Sequence, residues 1–333
     1  MSKSNPVFDK LCTQLPELRR NTLCVDSDNC EIIKGNAFVN IRPVNKIRRI
    51  NKFHECVNKN MDFDKVYISC VETLEQRSSR LKNSNLLKSL NFLILINDFL
   101  FHRVLHKVPL INKMYFFVTL GKSRPVSRAE ALGRIVSCGF EIQDEFEIGS
   151  LLYIVSKKKS LPAYDMSASF SLIFAMRRVG YKGRVISVYK MRTMHPFSEY
   201  LQSYIMQTNK LHKKGKINND YRVTSWGKFI RRYWIDELPM IINFLKGELN
   251  IVGVRPLSQN FFNRYPAHLQ KLRVKVKPGL IPPYYADMPN SLHEVFDSEE
   301  RYIHSKLQNP FRTDWIYFWK AMNNIFIKGA RSK

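Results

Sequence analysis

No stretch of this 333-residue chain reaches the roughly 20 consecutive apolar residues that span a bilayer, so a transmembrane helix is not expected. The nearest approach is "NLLKSLNFLILINDFLF", whose uninterrupted apolar run extends only from Phe92 to Ile96 before His102, Arg103, His106 and Lys107. That segment fits a buried core helix, or a helix lying in a membrane interface with its cations at the headgroups. Cysteine is sparse: Cys12, Cys24, Cys30, Cys56, Cys70 and Cys138, with none past residue 140 and no C-x-x-C spacing. This pattern suits neither a disulfide framework nor a zinc site. The opening "MSKSNPVFDKLC" lacks an apolar signal core, and a reducing, cytoplasmic setting follows as the expectation. Internal repeats and low-complexity tracts are absent.

Acid is the other scarcity. Lysine and arginine number 54 against 28 aspartate and glutamate, a formal net charge of +26. Such a surplus points to an anionic partner: nucleic acid, an acidic lipid surface or a phosphate-bearing substrate. It also suits a merely soluble basic protein. Apolar content of 44% and aromatic content of 12% indicate a folded chain, and the length suggests two domains.

The first domain reads as α/β. "KVYISCV" is a β-branched strand candidate. "SRAEALGRIVSCGF" opens on a capping box, Ser127 with Glu130, and closes at Gly139. Two strand-like pieces, "FEIQ" and "SLLYIVS", follow. This ending resembles the C-terminal end of class I methyltransferases, but no glycine-rich cofactor loop precedes it. Residues 1–155 are therefore expected to be a degenerate Rossmann-like domain without methyl-transfer chemistry. "SKKKSLPAYD" begins a linker over residues 156–168, and residues 169–333 form a mainly helical α+β domain with a few short strands.

The second domain carries dispersed cations and one acidic pair. "VYKMRTM" supplies Lys190 and Arg192; "NDYRVTSWGKFIRRYWIDELP" supplies Asp220, Arg222, Arg231, Arg232, Asp236 and Glu237; "IVGVRP" supplies Arg255; "KVKPGLIPP" supplies Lys275 and Lys277. Singly, each cation fits a solvated basic face. After the pair, Leu238, Ile241, Ile242, Leu245 and Leu249 recur at helical spacing, which predicts one buried face. Pro239 is acceptable only in a first turn, so the helix should begin at or near Asp236. There the free N–H groups and neighbouring Arg231 favour an ionised carboxylate, a competent oxygen nucleophile. Glu237 points elsewhere and can help hold magnesium, which prefers oxygen donors. An N-cap Asp followed by a dipole-compatible Glu is the plainer explanation.

The ordered stretches "FAMRRVGYKGRVISVYKMRTM", "DYRVTSWGKFIRRYWIDELPMIINFLKGELNIVGVRP", "RVKVKPGL" and "TDWIYFWKAMNNIFIKGA" together resemble the bacterial sugar transferases. These are the monotopic phosphoglycosyl transferases that start glycan assembly on polyprenol phosphate. The resemblance implies an enzyme in which Asp236 attacks the sugar-linked phosphate of a UDP-sugar and expels UMP. Polyprenol phosphate then accepts the phosphosugar from the aspartyl intermediate. It implies Mg2+ held by Glu237 with Asp236, and an arginine before the dyad, Arg231. Arg255 and Pro256 match an element contacting nucleotide and phosphate, and Lys190 and Arg192 match a "K-x-R-[ST]-M" element. Arg222, in the same stretch, joins the substrate-binding candidates. Location at the cytoplasmic face of the bacterial inner membrane, peripheral or monotopic, is implied as well.

Three departures stand out. Val254 replaces the first proline of a P-R-P element, "PGLIPPYY" replaces a glycine-bearing continuation, and "KKKSLPAYDMSASFSL" stands where a leaflet-dipping helix belongs. Attachment to an anionic membrane surface would then fall to the Phe92 region, basic residues and the stripe Trp315, Phe318, Trp319, Met322 and Phe326, which equally fits a core. A non-catalytic scaffold in glycan assembly is the rival reading. A nucleic-acid binder is the other, although no reading helix, zinc spacing or RNA-binding signature supports it.

Overall fold

The computed structural model describes residues 11–13, 22–26, 37–82, 93, 97–98, 111–120, 122, 124–163, 172–208 and 220–327. Among cysteines in that set, Cys12, Cys24, Cys70 and Cys138 are free thiols. Cys56 is disulfide-bonded, a pairing that sequence spacing does not report. The Phe92–Ile96 run lies outside the described residues except for Leu93.

The architecture is mixed α/β, in two compact units. One comprises Met1–Phe170 with His195–Arg222; the other comprises Ser171–Met194 with Val223–Lys333. The chain therefore passes between units at residues 170, 194 and 222, where the sequence reading has one linker.

The first unit holds β1 (Thr22–Val25), β2 (Ala37–Asn40), β3 (Val66–Val71), β4 (Phe140–Ile148) and β5 (Leu151–Lys158), in the order β1-β2-β3-β5-β4. The first three are parallel, and β5 runs antiparallel to both β3 and β4. Among the described residues it also holds the helices α1 (Ile50–Asn60), α2 (Leu74–Lys82), α3 (Ile111–Thr119), α4 (Arg128–Ser137) and α5 (Gln202–Thr208). Strand β3 is buried from Tyr67 to Val71, as a strand covered on both faces must be. Alternation sends Phe38, Tyr67 and Ile154 into one apolar cluster and Val39, Ile68 and Tyr153 into another. The serine half of the capping box forms as read, the Glu130 amide donating to Ser127 Oγ at 3.1 Å, while the Glu130 carboxylate accepts from Arg134; Gly139 closes the helix end at φ +88°. Residues 156–158 finish β5 rather than opening a linker, and Lys158 Nζ donates to the Asn58 and Met61 carbonyls, both at 2.7 Å. Both carbonyls lie at the C-terminal end of α1. Leu201 and Ile205 join the same core as Leu132 and Phe140, which ties segment 195–222 to this unit.

The second unit holds an antiparallel hairpin, β6 (Ile173–Val179) with β7 (Val185–Met191), and a parallel pair, β8 (Asn250–Val252) with β9 (Gly279–Ile281). Its helices are α6 (Ser225–Arg232), α7 (Ile241–Leu245), α8 (Gln259–Phe262), α9 (Ala267–Arg273), α10 (Tyr284–Asp287), α11 (Leu292–Gln308) and α12 (Pro310–Phe326). Val252, Val254, Leu269, Val276, Tyr302 and Ile303 form its main core. Beside β8 and β9 the two backbones touch. A Cβ on Gly253 would sit 2.6 Å from the Gly279 amide nitrogen, and one on Gly279 would sit 2.2 Å from that of Gly253. Neither position admits a side chain. Val254, at the departing proline position, is 2% exposed and its carbonyl accepts from Gly279 N at 3.0 Å, so it serves the core.

Candidate active site

The acidic pair sits on a 3-10 turn, Ile235–Met240, entered through Trp234 in the left-handed region at φ +56°. A tryptophan holds that conformation only when neighbours over-determine it. Here the indole Nε1 donates to Tyr285 Oη at 3.0 Å and the two rings meet edge-to-face at 5.7 Å. Pro239 has no N–H to donate, and the α-helical pattern starts only after it, at Ile241. A 3-10 turn begins near Asp236, where the sequence reading places a helix start, but the α-helix itself begins only at Ile241.

The buried face departs from the sequence reading. Leu249 is 1% exposed, but Leu238 is 56%, Ile241 47%, Ile242 43% and Leu245 78% exposed. Periodicity finds a stripe without saying what covers it. What turns inward from α7 is Asn243, fully buried. Its Oδ1 accepts from the Tyr189 amide at 3.0 Å, and its Nδ2 donates to the Ser187 carbonyl at 2.7 Å and to Glu248 Oε2 at 2.6 Å. The side chain thereby pairs with β7 as another strand would, and β7 presents Lys190 to the turn.

Lys190 Nζ donates to Glu237 Oε1 at 2.5 Å, with both side chains mostly buried. Asp236 lies half-buried beside this ion pair. Burial raises its carboxyl above the ordinary aspartate value. Lys190 pulls it back down, Glu237 pushes it up, and Arg231 pulls it down. The sequence reading has the opposite balance, with cation and dipole dominating. The correction is physical: a short 3-10 turn supplies little dipole, and desolvation outweighs the two cations.

Arg231 is aimed by its own helix. Thr224 caps α6 through its hydroxyl, which accepts from Gly227 N at 2.9 Å and donates to the Thr193 carbonyl at 3.0 Å. A Cβ on Gly227 would lie 2.2 Å from that same carbonyl oxygen, so only glycine allows the docking. Arg231 Nε then donates to Thr193 Oγ1 at 2.7 Å.

Arg255 follows β8, with Pro256 buried after it. The Arg255 carbonyl accepts from Arg273 Nη2 at 2.5 Å. Arg273 also pairs with Glu299, both residues being almost fully buried. The guanidinium of Arg255 reaches Tyr284 Oη at 3.5 Å, and its pKa is pushed up first by Tyr284 and then by the Glu237 carboxylate. Lys190, Arg231 and Arg255 thus act on the Asp236–Glu237 pair from three separate elements.

Arg192 stacks over the ring of Phe174 at 5.1 Å, and Phe174 is the residue paired with Lys190 across the hairpin. Arg222 belongs to the first unit, where its Nη2 donates to Asp220 Oδ2 at 2.7 Å and its Nη1 donates to Gln202 Oε1 at 2.7 Å. Its guanidinium closes a local network. Among the described residues, no group of three or more His, Cys, Asp or Glu side chains could hold a metal ion alone. Sequence reasoning missed Asn243, Thr193, Tyr284 and Tyr285. A lone amide within the apolar run "LPMIINFL" was the available signal for the first.

Comparison with known proteins decides the family. The bacterial sugar transferase profile matches residues 159–327, just over half of the sequence. The chain belongs to the bacterial sugar transferase family. It is similar to the galactosyl transferase CpsE of Streptococcus agalactiae, 38% identical over 109 residues, covering 32% of this chain and 24% of the relative. The undecaprenyl-phosphate galactose phosphotransferase of Salmonella typhimurium is 35% identical over 113 residues, covering 32% and 24%. The UDP-glucose:undecaprenyl-phosphate glucose-1-phosphate transferase of Escherichia coli is 37% identical over 120 residues, covering 35% and 24%. The chain thus spans about a quarter of the length of these family members.

Proposed function

We propose that this sugar transferase moves a sugar-1-phosphate from a UDP-sugar to a polyprenol phosphate through a covalent intermediate on Asp236. The observation that carries the reading is the carboxylate of Asp236 acted on by Lys190 and Arg231, beside a Glu237 already engaged by Lys190. A carboxylate oxygen attacks the sugar-bearing phosphorus, the bridging P–O bond breaks, and UMP departs with the bonding electrons. An oxygen of polyprenol phosphate then attacks the same phosphorus and returns the carboxylate. Charge grows on the phosphoryl oxygens at each step, and fixed cations stabilise it without reorganisation. Desolvation also leaves Asp236 a stronger base and nucleophile than a solvated aspartate.

Two adjacent carboxylates, completed by diphosphate oxygens, are a donor set that suits a hard divalent ion such as Mg2+. Glu237 and Asp236 would hold it, and it would supply charge neutralisation at the leaving phosphate.

Attachment to an anionic membrane surface at the cytoplasmic face is part of this reading. No helix among the described residues is long and apolar enough to cross a membrane. The second unit nevertheless exposes Trp226, Phe229 and Tyr233 on one face of α6 and its end, and Leu238, Ile241 and Leu245 beyond the dyad. It also exposes Phe311, Trp315, Trp319 and Phe326 along α12. Lys228, Arg232, Lys246, Arg312 and Lys320 are exposed on or beside these helices. Apolar and aromatic stripes beside cations match an interfacial mode of binding. For the first unit we adopt the degenerate methyltransferase-like reading, which the antiparallel β5 between β3 and β4 supports.

The test is UMP release. Purified protein with magnesium, polyprenol phosphate and a panel of UDP-sugars should release UMP with at least one sugar, and Asp236→Asn should not. Equal release by both proteins contradicts the assignment of the nucleophile. No release with any sugar favours the scaffold reading.

A further inference from the structure

Parallel strands send the loops that follow them out at the same end, and ligands of such sheets gather there. Strands β8 and β9 are parallel, pairing Asn250 with Gly279 and Val252 with Ile281. The loop after β8 carries Arg255. After β9, Pro282 and Pro283 lead directly into α10, which opens on Tyr284 and Tyr285; this "PPYY" stretch departs from the usual glycine-bearing continuation.

The two tyrosines are fixed from several sides. Pro282 and Pro283 are buried. The buried Asn324 of α12 donates through Nδ2 to the Tyr285 carbonyl at 3.0 Å and to the Ala286 carbonyl at 2.8 Å. Tyr285 Oη accepts the indole N–H of Trp234, the residue that enters the dyad turn. Against this anchored ring lies Tyr284, centroids 4.8 Å apart and planes at 49°. Tyr284 Oη meets Arg255 Nη1 at 3.5 Å, near the outer limit of a hydrogen bond.

We propose that Tyr284 is a further binding residue of the donor site, its phenol O–H donating to a phosphoryl oxygen of a nucleoside diphosphate-sugar held by Arg255. This inference rests on the UDP-sugar reading above. The guanidinium carries only donors, and the phenol offers one donor beside it. Both sit in the field of Glu237, whose carboxylate raises the Tyr284 phenol after burial and Tyr285 have done so, while Arg255 lowers it. The net direction is upward, so the phenol keeps its proton at neutral pH and remains a donor. Tyr285, Trp234 and Asn324 are positioning residues that pre-set the ring, which lowers the ordering cost of binding. For packing alone, phenylalanine would serve at residue 284. The hydroxyl lies between the Arg255 guanidinium and the Tyr285 hydroxyl, where it can turn its proton toward a bound phosphoryl oxygen.

The experiment compares UDP binding by wild type and Tyr284→Phe in magnesium-containing buffer, by calorimetry, with melting temperature as the fold control. The expected result is UDP affinity about 10-fold weaker in the variant, the effect of losing one hydrogen bond to a charged group. As a measurement on the unaltered chain, saturating UDP should protect Tyr284 from nitration by tetranitromethane, read by peptide mass. UDP bound equally well by both proteins, or Tyr284 nitrated at the same rate with and without UDP, overturns the inference and leaves the donor reading standing. Wild-type protein that binds no UDP contradicts the donor reading itself, and the inference falls with it.

Discussion

Lys190 and Glu237 are 47 residues apart in the chain and meet at 2.5 Å between Nζ and Oε1. One ends a strand hairpin and the other opens a 3-10 turn. Their contact registers the hairpin against the dyad, and the Lys190 charge also draws the Asp236 carboxyl down.

Replacing Lys190 with methionine should therefore do two things. Turnover should fall by about 100-fold, the usual effect of deleting one preorganised charge donor. The acidic limb of the kcat/KM profile should move to higher pH, because the largest influence lowering Asp236 is gone. A rate profile against pH reads both. A limb that stays in place means that Lys190 does not bear on Asp236.

Asp236 also has a stability signature. Its folded pKa is raised above the ordinary aspartate value, chiefly by burial, so the folded protein binds the proton more tightly than the unfolded chain. The associated stability is fully present below the unfolded value, about 3.9, and is lost as pH rises through the raised folded value. At neutral pH the ionised carboxylate is a burden on the fold. Asp236→Asn should melt above wild type at pH 7, with the difference shrinking as the pH is lowered toward the ordinary aspartate range. Thermal scans across pH measure it.

Asn243→Leu should destabilise the protein by roughly 2–4 kcal/mol. The substitution strands the Tyr189 amide and the Ser187 carbonyl, which the buried amide now pairs. Denaturant unfolding gives the number. A change under about 0.5 kcal/mol, the scatter of surface substitutions, contradicts the role assigned to Asn243.

Trp315 and Trp319 are 67% and 53% exposed, with ring centroids 5.7 Å apart. Changing both to glutamate should leave melting nearly unchanged and abolish co-flotation with anionic liposomes at physiological salt. Wild type should float. If it does not, the membrane part of the reading fails.

Much of this site was legible along the chain. The Asp236–Glu237 pair, the proline behind it and the arginines around it are local patterns, and Ser127 caps α4 as its place in the sequence dictates. What the sequence obscured were relations set by tertiary context. The stripe from Leu238 to Leu245 has helical spacing whether it faces a core or the outside, and here it is exposed. Arg222 resembles the other cations of its stretch until the fold pairs it with Asp220 and Gln202 in the first unit. The direction of the Asp236 shift depends on how much water the fold removes, which no motif encodes. Tyr284 was visible only as a departure from a family pattern.

The central claim is that Asp236 becomes covalently attached to a phosphosugar. Wild-type protein incubated with magnesium and a donor UDP-sugar, without polyprenol phosphate, should be quenched in acid, digested and weighed by mass spectrometry. The account predicts that the peptide bearing Asp236 gains the mass of one sugar phosphate, and that later addition of polyprenol phosphate removes it. Release of UMP upon full turnover with that peptide never modified, or the same mass gain in Asp236→Asn, would contradict it.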